Sequence, residues 1–108
     1  MLYVMSSLIF REPWSDILDY GLKHMNALES ELSKELHQGH QLSGLNLKLL
    51  AKREDSDDIL VTDNQNFYVV HLTWSGKNET GGFPSTFKFK SQNELQEKLD
   101  GDSAEYDI

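Results

Sequence analysis

The sequence predicts a two-layer α+β domain, in which a long N-terminal helix packs on a four-stranded antiparallel meander and a short helix follows. Three patterns support this fold: a helical stripe near the N-terminus, short β-type segments separated by turns, and a helix-capping pattern near the C-terminus. The 108 residues suit one domain with a single core. We therefore assign residues 1–108 to one domain, with a lead-in at 1–12 and an acidic tail at 101–108.

The long helix is predicted over residues 13–37. Pro13 suits its first turn, because the fixed φ and the missing N–H of proline are tolerated there. Gly39 suits its C-terminal end. Apolar positions between them recur at intervals of three and four, which places them on one helical face. This stripe consists of Trp14, Leu18, Gly21, Met25, Leu28, Leu32 and Leu36.

Four short segments have the composition of strands. Residues 45–53 begin with clean apolar and polar alternation, residues 59–62 are apolar, and residues 86–90 alternate again. Residues 67–74 form the longest run of β-branched and aromatic residues, so they are predicted to be the central strand. Turns rich in Asp, Asn and Ser connect these segments, and such short connections favour an antiparallel meander.

The C-terminal helix is predicted from a capping-box pattern. Ser91 and Glu94 have the spacing at which each side chain satisfies a free N–H group of the first helical turn. Leu95 and Leu99 then share one face of the helix. Gly101 is predicted to end it, and the remaining residues form the acidic tail.

The two faces of the central strand are predicted to have different roles. The more apolar face would lie under the long helix, and it comprises Tyr68, Val70, Leu72 and Trp74. The other face would meet solvent, the C-terminal segment or a partner, and it comprises Phe67, Val69, His71 and Thr73. His71 is therefore either a structural or partner-facing residue, or a general base, which would require a cleft and a neighbouring carboxylate.

Composition excludes several classes of function. The 18 acidic and 10 basic residues give a net charge of −8, and such a surface is repelled by nucleic-acid phosphates and anionic lipid. The absence of cysteine excludes disulfides and thiolate metal sites and suits the cytoplasm. His37 and His40 lack a third ligand, and no nucleotide-binding or hydrolase motif is present. The sequence predicts no catalytic residue, no metal and no cofactor.

Half of the acidic residues are concentrated in two segments, the turns around the second strand and the C-terminal tail. If these segments meet at one end of the sheet, they form an acidic surface suited to a basic protein. Two independent solvated loops are the alternative. The candidate partner-binding residues are Glu54, Asp55, Asp57, Asp58, Asp63, His71, Thr73, Asp100, Asp102 and Glu105, and Asp107 lies in the same tail.

The run Val70–Lys77, followed by Phe83–Thr86, resembles a group of small bacterial proteins that carry a similar His-Leu-Thr-Trp-Ser-Gly segment. The group has no assigned chemistry. Its further similarities to this chain are at Gly39-His40, Leu42, Gly44, Ala51–Arg53 and Asp57-Asp58. Small, acidic, cysteine-free α+β proteins of this type are often antitoxin or immunity proteins of bacterial competition systems.

Three functional hypotheses follow from the sequence. The leading one is an acidic protein-binding module of the immunity or antitoxin type, whose partner is a basic protein such as a toxin or nuclease domain. The second is a small enzyme or ligand-binding domain that uses the sheet face around His71, with Thr73, Trp74 and Ser75 at its rim. The third is a structural homodimer subunit. The chain would otherwise be a monomer, and binding to nucleic acid or membrane is not expected.

Overall fold

The computed structural model describes residues 8–106, and it contains a five-stranded antiparallel sheet with one helix on each face. The predicted α+β class and the antiparallel meander are confirmed. The elements are β1 (Trp14–Asp16), α1 (Leu22–Glu35), β2 (Lys48–Arg53), β3 (Asp58–Thr62), β4 (Phe67–His71), β5 (Ser85–Phe89) and α2 (Gln92–Tyr106), with a 3-10 turn at Ile17–Asp19. The strands lie in the sheet in chain order. Residues 1–7 of the predicted lead-in and residues 107–108, which include Asp107, lie outside the described residues.

The prediction that the long helix begins at Pro13 is wrong, because Trp14 begins a strand. Trp14 pairs with Arg53 and Asp16 pairs with Ala51 in the antiparallel ladder. The Asp16 carboxylate then accepts the backbone N–H of Leu18 at 2.9 Å and starts the 3-10 turn. Leu18, a member of the predicted stripe, is 81% exposed. Pairing with β2 therefore overrides the helical periodicity at this end of the stripe.

The remainder of the stripe forms α1 as predicted. Gly21 is its N-cap, and the helix ends at Glu35 rather than at His37. Leu28 and Leu32 are buried, with Met25 and Leu36 partly buried beside them. They pack on one face of the sheet, in a cluster that includes Ile17, Leu42, Leu49, Ile59, Val61, Tyr68, Val70 and Leu72.

The prediction of two layers is wrong, because α2 buries the opposite face of the sheet. Leu95 and Leu99 lie in a second apolar cluster with Trp14, Leu50, Ala51, Leu60, Phe67 and Val69. Gly101 does not end α2, which continues to Tyr106. Glycine inside a helix costs about 1 kcal/mol relative to alanine. Burial of Leu99 on one side of Gly101 and of Asp102 on the other offsets this cost.

The start of α2 follows the predicted capping box at Ser91, whereas the Glu94 side chain bonds the backbone one residue earlier than predicted. Ser91 Oγ accepts the Glu94 N–H at 3.2 Å. Glu94 Oε2 accepts the backbone N–H of Lys90 at 2.9 Å. The helix therefore begins where the sequence predicts, and it extends beyond the predicted end at Gly101.

A β-bulge in β2 supplies apolar side chains to both clusters. The register shifts between Leu49 and Ala51, so that Leu49 packs under α1 while Leu50 and Ala51 pack under α2. An extra residue in one strand changes which face the following side chains occupy. The strand begins at Lys48 rather than at Leu45.

The central strand is shorter than predicted. β4 ends at His71, and the N–H of buried Leu72 still donates to the Asp57 carbonyl at 3.1 Å. Trp74 adopts φ 57° and is 46% exposed, so its predicted place in the core is wrong. Among residues 8–106, no helix is long and apolar enough to cross a membrane.

Candidate functional site

Polar side chains collect at the end of the sheet where β2 and β3 are joined by a turn. Asp58 pairs with His71 across β3 and β4, and His71 pairs with Ser85 across β4 and β5. Directly opposed residues of an antiparallel pair project to the same face, which is here the α2 face. We call this region the polar end, and it comprises residues 53–58, His71 and Ser85.

Arg53 connects the polar end to α2. Its Nε and Nη2 donate to the two carboxylate oxygens of Asp55 at 2.6 and 3.2 Å. Its Nη1 lies 3.2 Å from Asp102 Oδ2 on α2. The guanidinium group lowers the pKa of the Asp55 carboxyl, chiefly through the side-chain hydrogen bond. The acidic β2–β3 turn and the C-terminal half of α2 therefore lie side by side.

Asp102 does not contribute to an exposed acidic surface, contrary to the sequence interpretation. Asp102 is only 6% exposed. Besides Arg53, its carboxylate accepts hydrogen bonds from Lys98 Nζ at 2.8 Å and from Trp14 Nε1 at 2.9 Å. All these bonds are internal, so Asp102 holds α2 on the sheet.

Two further acids of the predicted surface lie elsewhere. Asp63 is in the β3–β4 turn, which is at the opposite end of the antiparallel sheet from the β2–β3 turn. Its carboxylate accepts the N–H groups of Gln65 and Asn66 at 3.0 and 2.8 Å, and the Tyr68 hydroxyl at 3.1 Å. Asp100 is exposed on α2 and lies 3.5 Å from Arg11. The candidate acids do not form one patch.

The remaining candidates lie at or next to the polar end. Glu54, Asp55 and Asp57 are exposed in the β2–β3 turn, and Glu105 is exposed on α2 one turn beyond Asp102. Thr73 is exposed just beyond β4, and its hydroxyl donates to Glu79 at 2.7 Å. The structure therefore places the acidic β2–β3 turn next to the C-terminal end of α2.

His71 and Asp58 form a close pair on this face. His71 Nδ1 lies 2.7 Å from Asp58 Oδ1. A carboxylate at one ring nitrogen orients the imidazole and leaves the other nitrogen available. The His71 side chain is 56% exposed, so it lies on an open surface rather than in a cleft. The carboxylate that a general base requires is therefore present beside an exposed imidazole.

The loop between β4 and β5, residues 72–84, is held by a second set of polar contacts that sequence reasoning missed. Glu35 accepts the N–H groups of Thr73 and Trp74, both at 2.8 Å. Glu31 accepts the N–H of Gly76 at 3.0 Å. Both glutamates are buried in α1. Each glutamate follows a stripe leucine by three residues, which places it on the apolar face of the predicted helix. This spacing is the sequence pattern that indicates their burial.

The two histidines considered as metal ligands also hold this loop. His37 Nε2 contacts the Gly81 carbonyl at 2.9 Å, and His40 Nε2 contacts the Pro84 carbonyl at 2.9 Å. The Asn78 side chain donates to the Lys34 carbonyl at 2.8 Å. In the described part of the chain, no three His, Asp or Glu side chains are placed to hold a metal ion.

Trp74 is exposed on this loop, as is Phe83, and Trp74 has an unusual backbone conformation with φ 57°. A positive φ is unfavourable for a residue with a bulky side chain, and such conformations persist where surrounding contacts fix them. The Glu35 carboxyl group supplies this contact by accepting the Trp74 N–H. The backbone at Trp74 is consequently held at this φ, and its side chain lies near solvent.

A cleft of about 320 Å³ lies at another edge of the molecule, between the N-terminal segment, the 3-10 turn and β2. It is lined mainly by apolar side chains, among them Leu8, Phe10 and Ile17, with Lys48 at its margin. Ligand sites combine such surfaces with a few convergent polar groups. This cleft is separate from the polar end and from the β4–β5 loop.

Comparison of the chain with protein-family models, with curated proteins and with solved structures finds no match. Within residues 8–106, the polar end and the β4–β5 loop held by Glu31 and Glu35 are the candidate functional regions. They meet at the same end of the sheet, because Asp57 and Leu72 share a backbone hydrogen bond.

Proposed function

We propose that the protein is a binding module for a basic protein, of the immunity or antitoxin type, and that it neutralises a basic toxin or nuclease domain. The observation that supports this is the contact of Arg53 with both Asp55 and Asp102. It fixes the acidic β2–β3 turn beside the end of α2 that carries Glu105. The acidic surface is thus preorganised rather than spread over independent loops.

Charge accounts for both the speed and the selectivity of such binding. The net charge of −8 attracts a basic partner at long range and raises the association rate. At contact, Glu54 and Asp57 present carboxylates to Lys or Arg side chains of the partner. Because Arg53 already orders this turn, less conformational entropy is lost on binding.

Exposed aromatic rings at the same end supply apolar contact area. Tyr106 is adjacent to Glu105 and is 46% exposed, and Trp74 is equally exposed. Tyrosine and tryptophan dominate the binding energy of many protein interfaces. The proposed surface therefore has acidic residues for steering and aromatic residues for affinity.

Capture from cells followed by calorimetry tests this proposal. The full chain is used to isolate a partner, which is identified by mass spectrometry, purified and titrated at low and high salt. We expect a basic partner whose affinity falls as salt increases, because screening weakens attraction between exposed charges. The double variant Glu54→Lys and Asp57→Lys should weaken binding at least tenfold.

The matched control carries the same charge change elsewhere. Asp19 and Glu29 are exposed in the 3-10 turn and on α1, so Asp19→Lys with Glu29→Lys alters the net charge equally. This control should retain most of the affinity. Equal losses in both variants, or binding that is insensitive to salt, would exclude the polar end as the binding surface.

A second candidate function is general-base catalysis by His71, and the 2.7 Å contact with Asp58 favours it. Ser85 is directly opposite His71 on β5. In an acyl transfer, Ser85 Oγ would attack the acyl carbon while its proton passes to His71 Nε2 and then to the leaving alcohol. Asp58 would stabilise the imidazolium.

An activated ester tests the second candidate directly. Incubation with p-nitrophenyl acetate should release p-nitrophenol and leave an acetyl group on Ser85, detected by peptide mass spectrometry. His71→Ala and Ser85→Ala should each abolish both signals. If Ser85 is not acetylated, or if its acetylation persists in His71→Ala, this catalytic role is excluded.

A further inference from the structure

We propose that Glu31 and Glu35 form a proton-controlled latch that closes the β4–β5 loop over α1 and fixes the backbone conformation at Trp74. The two residues are one helical turn apart, and together they accept three N–H groups from the loop. We call them the latch pair. The latch is a property of the chain alone, so it is tested without a partner.

The geometry of the latch pair requires one proton. Glu35 is fully buried and Glu31 is 6% exposed. Their carboxyl groups lie one helical turn apart on the same face of α1, and two ionised carboxylates at that spacing repel each other. A buried pair with two negative charges would also be strongly destabilised. In the closed loop, therefore, one of the two carboxyls is neutral.

The environment decides which residue carries the proton. Burial raises the pKa of Glu35, and the hydrogen bond with Glu31 raises it further, against the opposing effect of the Thr73 and Trp74 N–H groups. The pKa of Glu31 is lowered by its hydrogen bond with Glu35 and, against burial, by the Gly76 N–H and by Lys34. Glu35 is thus the residue of the pair that keeps its proton to higher pH.

The charged groups that face the latch pair come from α1 and from the loop itself. Lys34 on α1 favours ionisation of Glu31, whereas Glu79 on the loop opposes it. Lys77 lies close enough to Glu79 to interact with it electrostatically. His37, which follows α1, contacts the loop at the Gly81 carbonyl.

Loss of the Glu35 proton opens the latch. As the pH rises through the pKa of Glu35, both carboxyls become charged while they are still buried and adjacent. The repulsion is relieved when the loop separates from α1 and admits water. The N–H groups of Thr73, Trp74 and Gly76 then lose their acceptors, and the backbone φ of Trp74 is no longer held by Glu35.

A pH titration followed by NMR tests the latch. The carboxyl carbon of Glu35 should titrate above 4.5, the ordinary glutamate value. The amide resonances of Thr73, Trp74 and Gly76 should change with the same midpoint. Hydrogen exchange at these amides should also accelerate above that midpoint, as expected for local opening.

The variant Glu31→Gln separates a proton latch from ordinary packing. The glutamine amide can donate to an ionised Glu35, while its carbonyl accepts the Gly76 N–H, so every bond survives without a shared proton. We expect the loop to stay closed over the whole titration and the pKa of Glu35 to fall by at least about one unit, a tenfold change in its ionisation constant. Glu29→Gln, an exposed change on the same helix, should leave the wild-type behaviour intact.

Three results would overturn the proposal. Titration of the Glu35 carboxyl at or below 4.5 would show that it carries no proton in the closed loop. An unchanged loop transition in Glu31→Gln would show that the pair does not control the loop. Loss of the transition in His37→Asn would assign it to His37 instead.

Discussion

The indole Nε1 of Trp14 donates a hydrogen bond to Oδ2 of Asp102 at 2.9 Å, across 88 positions of sequence. This contact joins the first strand to the last helix, and both residues are buried. Trp14 therefore packs in the apolar cluster under α2 at the β1 edge of the sheet. Arg53 and Lys98 neutralise the Asp102 carboxylate at the same point.

Removal of the Asp102 carboxylate should destabilise the fold. Asp102→Ala leaves the Lys98 charge and the Trp14 N–H without this acceptor and removes one of the two carboxylates that contact Arg53. Loss of one member of a buried ion pair typically costs about 3–5 kcal/mol. Urea unfolding should show a decrease near the lower value, because Lys98 is partly exposed. Asp100→Ala is the control, since its exposed pair with Arg11 contributes at most about 1 kcal/mol.

The apolar side chains between α2 and the sheet should stabilise the fold as a hydrophobic core does. Leu99 is 2% exposed, so Leu99→Ala should lower the free energy of unfolding by about 2–5 kcal/mol through lost burial and a residual cavity. Leu18→Ala should change it by no more than about 0.5 kcal/mol, as expected of a surface position. Equal effects of the two substitutions in urea unfolding would contradict the three-layer packing.

Asp63 should stabilise the protein at neutral pH and lose this effect in acid. Burial acts to raise its pKa, but hydrogen bonds from the Asn66 and Gln65 N–H groups and the Tyr68 hydroxyl outweigh it, so the pKa is lowered from 3.8. A lowered folded-state pKa gives stability that is present above the unfolded pKa and disappears as the pH falls through the folded one. Asp63→Asn should therefore cost about 1 kcal/mol at neutral pH.

The measurement is urea unfolding of wild type and Asp63→Asn at neutral pH and in acid. The difference between the two proteins should shrink as the pH falls below 3.8. Asp57→Asn, in the exposed β2–β3 turn, provides the control. A difference for Asp63→Asn that stays constant with pH would show that its charge is not involved.

The backbone at Trp74 should discriminate between substitutions of different shape. Its φ of 57° is open to glycine at little cost, whereas a β-branched residue is strongly disfavoured there. Trp74→Val should therefore be less stable than Trp74→Gly by about 1–2 kcal/mol in urea unfolding. Both variants lack the indole, so the comparison isolates the backbone. Equal stabilities would indicate that the loop does not hold this φ.

Local patterns predicted most of the elements. Alternation and β-branched residues marked β2 through β5, and the stripe from Met25 to Leu36 marked α1, because each signal reflects the side chain's own position on a strand or helix. The pattern failed at Trp14 and Leu18, where helical spacing was coincidental. Pairing of Trp14 with Arg53 depends on residues far along the chain.

The candidate site shows the same division. Asp58 and His71 were both identified as candidates, but only the strand register places their side chains 2.7 Å apart. The acidic residues were also visible, yet Asp102 proved buried and Asp63 lies at the far end of the sheet. Charge can be counted in a sequence, whereas exposure and proximity depend on packing.

The sequence by itself determined the α+β class, the antiparallel meander and most of the apolar faces, since these follow from periodicities of two and 3.6 residues. Tertiary structure decided that β1 exists, that α2 covers the second face, and that Glu31 and Glu35 clamp the β4–β5 loop. Each of these depends on free energy gained between segments distant in sequence. Short-range sequence patterns do not reveal the free energy of these long-range contacts.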